Sequence, residues 1–328
     1  MKNILTIIIS TYNRAELLKN NLEKMLAYNL DIDFIVGDNA STDKTWDILS
    51  KINNDRLRIY RNNQNLDINN VFLLAGYVET QYFIFLNDRD FIEKESLVSL
   101  LRDLKDTNYE MIASVFSNIY KKGEINTSTF YYLYFLANHP GCLIYSTHYF
   151  ANQVDATIIK KKALEHDSEF IYNYVTFQIL MNLNHSYFRP CSMIVQPRDR
   201  DRIVQTRKEQ YGSAYILPEY HIKAFDSRII LLDTYSDKNK KIDILFALFK
   251  SSLRKVELEF FVSSKSEDFC IRNHCVGVNS RDWLRNGVIY TRGVINNKRT
   301  KKYLSKVSIC IMFLRETFLN YLRILKMR

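Results

Sequence analysis

Ile4-Leu5-Thr6-Ile7-Ile8-Ile9-Ser10-Thr11-Tyr12-Asn13-Arg14 is the stretch that decides how this chain folds. Its first six residues form a continuous apolar, β-branched run without polar alternation, the pattern of a strand buried on both faces of a parallel sheet. The polar residues from Ser10 onward end that strand. Glu16 to Ala27 then places Leu17, Leu18, Leu22, Met25 and Leu26 at helical spacing, and Asp33 to Val36 reads as a second short strand. Strand, helix and strand make one βαβ unit.

The rhythm continues outward from that unit. A Ser/Thr/Asp turn at Ser41 to Asp43 precedes a helix over Thr45 to Ile52, and a strand follows at Leu57 to Tyr60. Next come a helix around Asn70 to Val78, a strand at Tyr82 to Leu86, a helix from Glu93 to about Lys105 and a strand at Met111 to Ile119. Such alternation predicts a Rossmann-like α/β fold, a mostly parallel sheet flanked by helices, whose ligands bind at the carboxyl ends of the strands. From about 123 to 150 the sequence is aromatic and reads as irregular, with His139-Pro140-Gly141 at its centre. Helical pattern returns from about Asp155 to Asn184, before a strand near Tyr187 to Val195. Past residue 222 the rhythm is gone, which divides the chain into a catalytic domain (1–222) and a mainly helical C-terminal extension (223–328).

With 328 residues, 47% of them hydrophobic, the chain can bury a substantial core. Its formal charge of +10 points to an acidic partner. Nucleic acid is not favoured, because the basic residues gather in the tail without a recognisable binding motif. The five scattered cysteines include no CxxC pair and no His at zinc-finger spacing, so they read as thiols in a reducing compartment. No stretch approaches the 18 or so apolar residues of a membrane span. These features predict a cytoplasmic protein.

Three polar clusters follow three of the strands. Thr11, Tyr12, Asn13 and Arg14 stand where a strand gives way to a helix, whose first amides suit a nucleotide and its diphosphate; a simple capped turn reads equally well. Asp38, Asn39 and Ser41 follow the second strand, suited to hydrogen-bonding a base or ribose, while Ser41 to Asp43 cap the helix near Thr45. Asp88-Arg89-Asp90 follows Tyr82 to Leu86. Two carboxylates separated by one residue at a strand end suit a single hard cation, Mn2+ or Mg2+, which would neutralise a diphosphate.

Taken together, the clusters resemble glycosyltransferase family 2, the inverting group with the GT-A fold. The resemblance is close over about residues 3 to 120 and looser to about 200. Ile7 to Arg14 resembles the family's opening strand and turn. Asp38-Asn39-Ala40-Ser41-Thr42-Asp43 resembles its Asp-Asp-Gly-Ser-Thr-Asp signature, and Asp88-Arg89-Asp90 its Asp-x-Asp motif. The resemblance implies a nucleoside-diphosphate-sugar donor, UDP- or dTDP-type favoured, with Asp38 and Asn39 near base and ribose and Asp88 and Asp90 at the metal. It implies a hydroxyl acceptor on a glycan or lipid-linked molecule, in surface polysaccharide biosynthesis. Three departures stand out. Asn39 replaces the second Asp of the signature, Arg89 puts a cation between the metal-site carboxylates, and Asn65-Leu66-Asp67 lies where many relatives have Asn-x-Gly, with Asn70 matching a polar residue beyond it.

An inverting transfer is a single displacement, and a base must take the acceptor's proton. In relatives that base lies at a helix start well after the metal motif. Here the corresponding region offers Glu169 and Asp167, with His139 and Asp155 as outsiders. Arg198, Arg200 and Arg202 read either as a loop closing on phosphate or as a solvated, self-pairing segment with Asp199 and Asp201.

The tail from Lys298 to Arg328 holds nine basic residues against Glu316, with Leu304, Val307, Ile311, Leu314, Phe318, Tyr321 and Leu325 forming one apolar helical stripe. Such a helix suits the anionic inner face of the cell membrane, a coiled-coil seam, or packing on the catalytic domain. A sugar nucleotidyltransferase is disfavoured, since that class needs a glycine-rich loop after the first strand and no glycine precedes Gly37. The non-enzyme alternative is a degenerate glycosyltransferase-like binding or scaffold protein.

Overall fold

In the computed structural model, the described residues are 3–190, apart from 68, 106, 116–120, 138–139 and 164–167, together with 194–195, 228–232, 234–256, 293 and 296. The chain divides into two compact units, Met1–Pro197 and Arg198–Arg328. The boundary expected at 222, the Arg198 to Arg202 segment and the basic tail all lie outside the described residues.

The opening stretch is strand β1 (Leu5–Thr11), fully buried except at Ser10. Helix α1 (Ala15–Leu26) follows, then β2 (Ile32–Asp38), α2 (Thr45–Leu49), β3 (Leu57–Arg61), α3 (Asn69–Ala75) and β4 (Tyr82–Asn87). β1 pairs in parallel with β2 on one side and β4 on the other, and β2 with β3, as the alternation predicts. Leu18, Leu22, Met25 and Leu26 of α1 are buried in one cluster with Ile7, Ile9, Phe34 and Ile84 of the sheet. The amphipathic period is thus what docks the helix. Gly37 is fixed by packing: a Cβ there would sit 2.6 Å from Leu74 Cδ1 and 3.1 Å from Asn70 Nδ2, both on α3.

Beyond β4 come the short β5 (Phe91–Ile92), α4 (Lys94–Leu104), β6 (Met111–Ser114), β7 (Gly123–Ile125), α5 (Thr127–Leu136), β8 (Leu143–Ser146), α6 (Thr147–Gln153), α7 (Ala156–Ala163), α8 (Ser168–Asn182), β9 (Ser186–Arg189) and β10 (Ile194–Val195). The main sheet has eight strands in the order β3-β2-β1-β4-β8-β6-β9-β7. One expectation is corrected: the described residues of 123–150 form strands and helices. Four of the seven strand pairings in the main sheet are parallel, as expected, and β8 enters it antiparallel to both β4 and β6. The aromatic residues of the segment fill the core: Phe83, Phe85, Tyr145 and Phe150 pack ring against ring at 5.0 to 5.9 Å.

In the second unit, the described residues are mainly helical. Helix α9 (Lys238–Val256) buries Ile244, Leu245, Ala247 and Leu248.

Candidate active site

The three polar clusters end three neighbouring parallel strands, β1, β2 and β4, so the sheet's pairing brings them together. Thr11 pairs in register with Asp38, and Ser10 with Asn87. Residues up to 77 positions apart in sequence then make direct contact. Thr11 Oγ1 donates to Asp88 Oδ2 at 3.0 Å, and Arg14 Nε lies 3.4 Å from the same oxygen. Asn13, in the left-handed region at φ 54°, locks the first loop to the second. Its backbone N–H donates to Ser41 Oγ at 2.9 Å, and its Oδ1 accepts from the Thr42 N–H at 2.8 Å. Tyr12, 43% exposed, stands clear of this network.

Asp38 is fully buried. One carboxylate oxygen accepts from the Ser41 N–H at 2.9 Å, and the other lies 3.3 Å from Arg61 Nε. Arg61 also donates to the Ser41 carbonyl and stacks its guanidinium over Trp46, 5.3 Å from the ring centroid. Asp43 accepts from the first helical amides of both α2, at Thr45, and α1, at Ala15. Burial opposes the charge of this carboxylate, but the Thr45 and Ala15 hydrogen bonds outweigh it and hold its pKa below the ordinary value. The capping expected of Ser41 to Asp43 falls to Asp43.

Asn39, expected near the base or ribose, braces the loop that follows β3. Its Nδ2 donates to Asn65 Oδ1 at 2.7 Å and to the Asp67 carbonyl at 3.2 Å. Its Oδ1 accepts from Asn62 Nδ2 and from the Leu66 N–H, both at 2.9 Å. Two donors and two lone pairs are the full capacity of a primary amide. The two backbone partners also fix which end is nitrogen. Asn70, buried in α3, extends the network by accepting from Asn62 and donating to Ser10 Oγ. Both amides therefore shape the loop 62–67 that borders the cluster.

Asp88 and Asp90 are 8% and 1% exposed. Burial raises the Asp88 pKa; Arg14, the Thr11 hydrogen bond and Arg89 pull it down, and the Asp90 charge pushes it up again. Asp90 Oδ2 accepts from Asn87 at 2.9 Å, which closes the turn 87–90. Half-buried Arg89 sits between them. Two desolvated carboxylates at one strand end are hard oxygen donors whose charge a divalent cation would offset, so this pair fits the expected metal. Among the described residues no third His, Cys, Asp or Glu joins them.

The candidate bases are not brought to this cluster by any described contact. Glu169 lies in the first turn of α8, with its side chain outside the described residues, as are Asp167 and His139 altogether. Asp155 caps α7, its Oδ1 accepting from the Thr157 N–H at 2.7 Å. Sequence reasoning missed Arg61, Trp46 and Asn62. The available signal was positional, since Arg61 ends β3 directly beside Asp38.

Residues 6–166 match the family model for glycosyl transferase family 2. This region belongs to that family. Its fold is similar to that of S. aureus TarS residues 1–349, at 12% identity, covering 95% of this chain and 88% of that one with a TM-score of 0.54. The same protein in complex with UDP-GlcNAc aligns at 14% identity, covering 95% and 89%, also with a TM-score of 0.54. At such identity the likeness concerns the fold alone. No curated protein matches this chain in sequence. Among its described residues, no helix is long and apolar enough to cross a membrane.

Proposed function

We propose that this chain is an inverting glycosyltransferase that moves a sugar from a nucleoside-diphosphate sugar, of UDP or dTDP type, to a hydroxyl of a glycan or lipid-linked acceptor. One observation carries the reading: the Thr11–Asp88, Arg14–Asp88 and Asn13–Ser41 contacts gather three separate family motifs at the carboxyl ends of adjacent parallel strands. The S. aureus structure with UDP-GlcNAc shares this fold and supports a UDP-type donor.

In this reading Asp38, fixed by Ser41 and Arg61, presents a buried carboxylate to the donor's nucleoside. Arg14 pairs with the diphosphate through guanidinium N–H groups beyond its contact with Asp88. Asp88 and Asp90 would hold Mn2+ or Mg2+, whose charge would offset the negative charge of the diphosphate. The acceptor oxygen attacks the anomeric carbon as the carbon–phosphate oxygen bond breaks on the opposite face, and Glu169 or Asp167 takes the hydroxyl proton. Surface polysaccharide assembly and contact of the basic tail with an anionic membrane belong to the same proposal.

The test is thermal stability against UDP, dTDP, GDP, CMP and ADP, with and without Mn2+ or Mg2+, in wild type and Asp90→Asn. A ligand bound to the native state raises its stability by mass action. A nucleotide-selective, metal-dependent shift lost in the variant is expected. A folded protein that shifts with no nucleotide, and does not hydrolyse a UDP-sugar with metal present, overturns the reading in favour of a scaffold role.

A further inference from the structure

A pocket of about 530 Å³ lies at the end of the sheet opposite the three polar clusters. Ser146, which ends β8, pairs with Tyr82, the first residue of β4, whereas Asp88 follows the last. The six residues of β4 at about 3.3 Å each therefore separate the two places by about 20 Å. The pocket is distinct from the nucleotide site.

Its lining is unusual for this chain. Five of the eleven lining residues are amides: Asn108, Asn152, Gln153, Asn182 and Asn184. His148 and His185, Tyr109 and Tyr149, Ser146 and Glu110 complete it, and none of the described lining residues is Lys or Arg. In a protein of net charge +10, that absence decides against nucleotides, nucleic acids and anionic lipids, which need cationic partners. The polar lining equally disfavours an apolar ligand, which could not replace the lost hydration of these groups.

The side chains are organised. Asn182 Nδ2 donates to Gln153 Oε1 at 2.7 Å and ties α8 to α6, while Asn152 Nδ2 and His148 Nε2 lie 3.2 Å apart. Glu110 Oε2 accepts from the Asn184 and His185 N–H groups at 2.6 and 3.0 Å, which holds the turn before β9. Tyr109 packs against Tyr187 with ring centroids 4.9 Å apart. These ties leave the Gln153 amide nitrogen to donate and the Asn152 amide oxygen to accept. A planar amide offers a donor and an acceptor side by side, which matches adjacent hydroxyls on one sugar ring. A tyrosine ring offers a flat apolar face to the ring's C–H side.

We propose that this pocket binds a neutral oligosaccharide, as a site separate from the donor and metal site. The volume lies within the range of about 300–1,000 Å³ typical of ligand pockets. Binding here does not require that transfer be the chain's activity, so the test reads binding directly. Cellopentaose, chitopentaose, maltopentaose and, as an anionic contrast, trigalacturonate are presented to the full chain, with and without saturating UDP and Mn2+, and read by saturation-transfer NMR and calorimetry.

At least one neutral pentasaccharide is expected to bind, and trigalacturonate is not. The Asn152→Ala/Gln153→Ala variant weakens that binding at least about tenfold, the scale of a few lost hydrogen bonds. Asn108→Ala, at an exposed position, weakens it too and guards against a double variant that fails to fold. Asp90→Asn leaves it unchanged. Absence of binding by every neutral sugar, binding untouched by the pocket variants, or displacement by UDP would each overturn the proposal. Failure of the transfer reading alone would instead appear as no nucleotide shift, with sugar binding intact.

Discussion

The amide nitrogen of Asn39 donates to the side-chain oxygen of Asn65 at 2.7 Å, across 26 positions of sequence. This bond explains why the chain departs from its family's Asp-Asp signature: an aspartate at 39 cannot donate to Asn65 or to the Asp67 carbonyl. Asn39→Asp is expected to lower stability by about 1–3 kcal/mol, the cost of leaving such acceptors without donors. Urea unfolding measures it. An unchanged midpoint would show that the loop 62–67 does not depend on Asn39.

Ala40 and Asp67 both adopt left-handed backbone conformations, φ 64° and 51°. They stand where the family signature and the Asn-x-Gly pattern carry glycine. The left-handed region costs an L-residue roughly 1–2 kcal/mol, and glycine's extra unfolded-state entropy offsets part of the relief. Ala40→Gly is therefore expected to raise stability by about 0.5–1 kcal/mol, seen as a higher melting temperature. A drop would mean that the Ala40 methyl packs usefully.

Gly37 has the opposite constraint. A methyl group there meets both methyls of Leu74, which is 2% exposed and cannot swing into solvent. Gly37→Ala is expected to cost about 1–3 kcal/mol by overpacking. Because Asn70 also faces that position, UDP affinity should fall with stability, and a paired Leu74→Ala change should recover part of the stability loss.

Arg189 is buried at 2% exposure at the end of β9, where its Nε contacts Asp103 at 2.6 Å and its other nitrogens reach Ser99 and Ser114. Burial works against the Asp103 charge, but Lys122 and Arg189 together hold its pKa below the ordinary carboxylate value. A depressed folded-state pKa gives stability that is fully present above the unfolded value of about 3.9 and is lost as pH falls through the folded one. Asp103→Asn should cost about 3 kcal/mol at neutral pH, since it leaves a buried guanidinium without its anion. It should also flatten the acid side of the stability–pH curve. Equal slopes in both proteins below pH 4 would contradict the linkage.

Much of the fold was legible because burial imposes a pattern on sequence. β1 and β4 are mainly apolar, β2 has Phe34-Ile35-Val36 at its centre, and α1 carries a clear 3.6-residue stripe. Helix α5 was not legible, because TSTFYYLYFL is apolar on all sides and has no polar face to set a period. Its only local mark is Asn126, whose side chain accepts from the Thr129 N–H and caps the helix. β8 has four residues and no neighbour in sequence that announces its direction. For the site, residue types named Thr11, Arg14, Asp38, Asp88 and Asp90, whose positions after apolar strands are local facts.

The sequence by itself therefore determined the βαβ rhythm, the resemblance to the family and the three polar clusters, since each is read from short local patterns and their order along the chain. Only the tertiary structure decided what those residues do together. Asn39 braces the loop 62–67, Arg61 is the partner of Asp38, and β8 runs antiparallel to both of its neighbours. Hydrogen bonds and ion pairs between distant residues depend on angles and distances of a few ångström. Those are set by how strands pair and helices pack, and no local pattern records them.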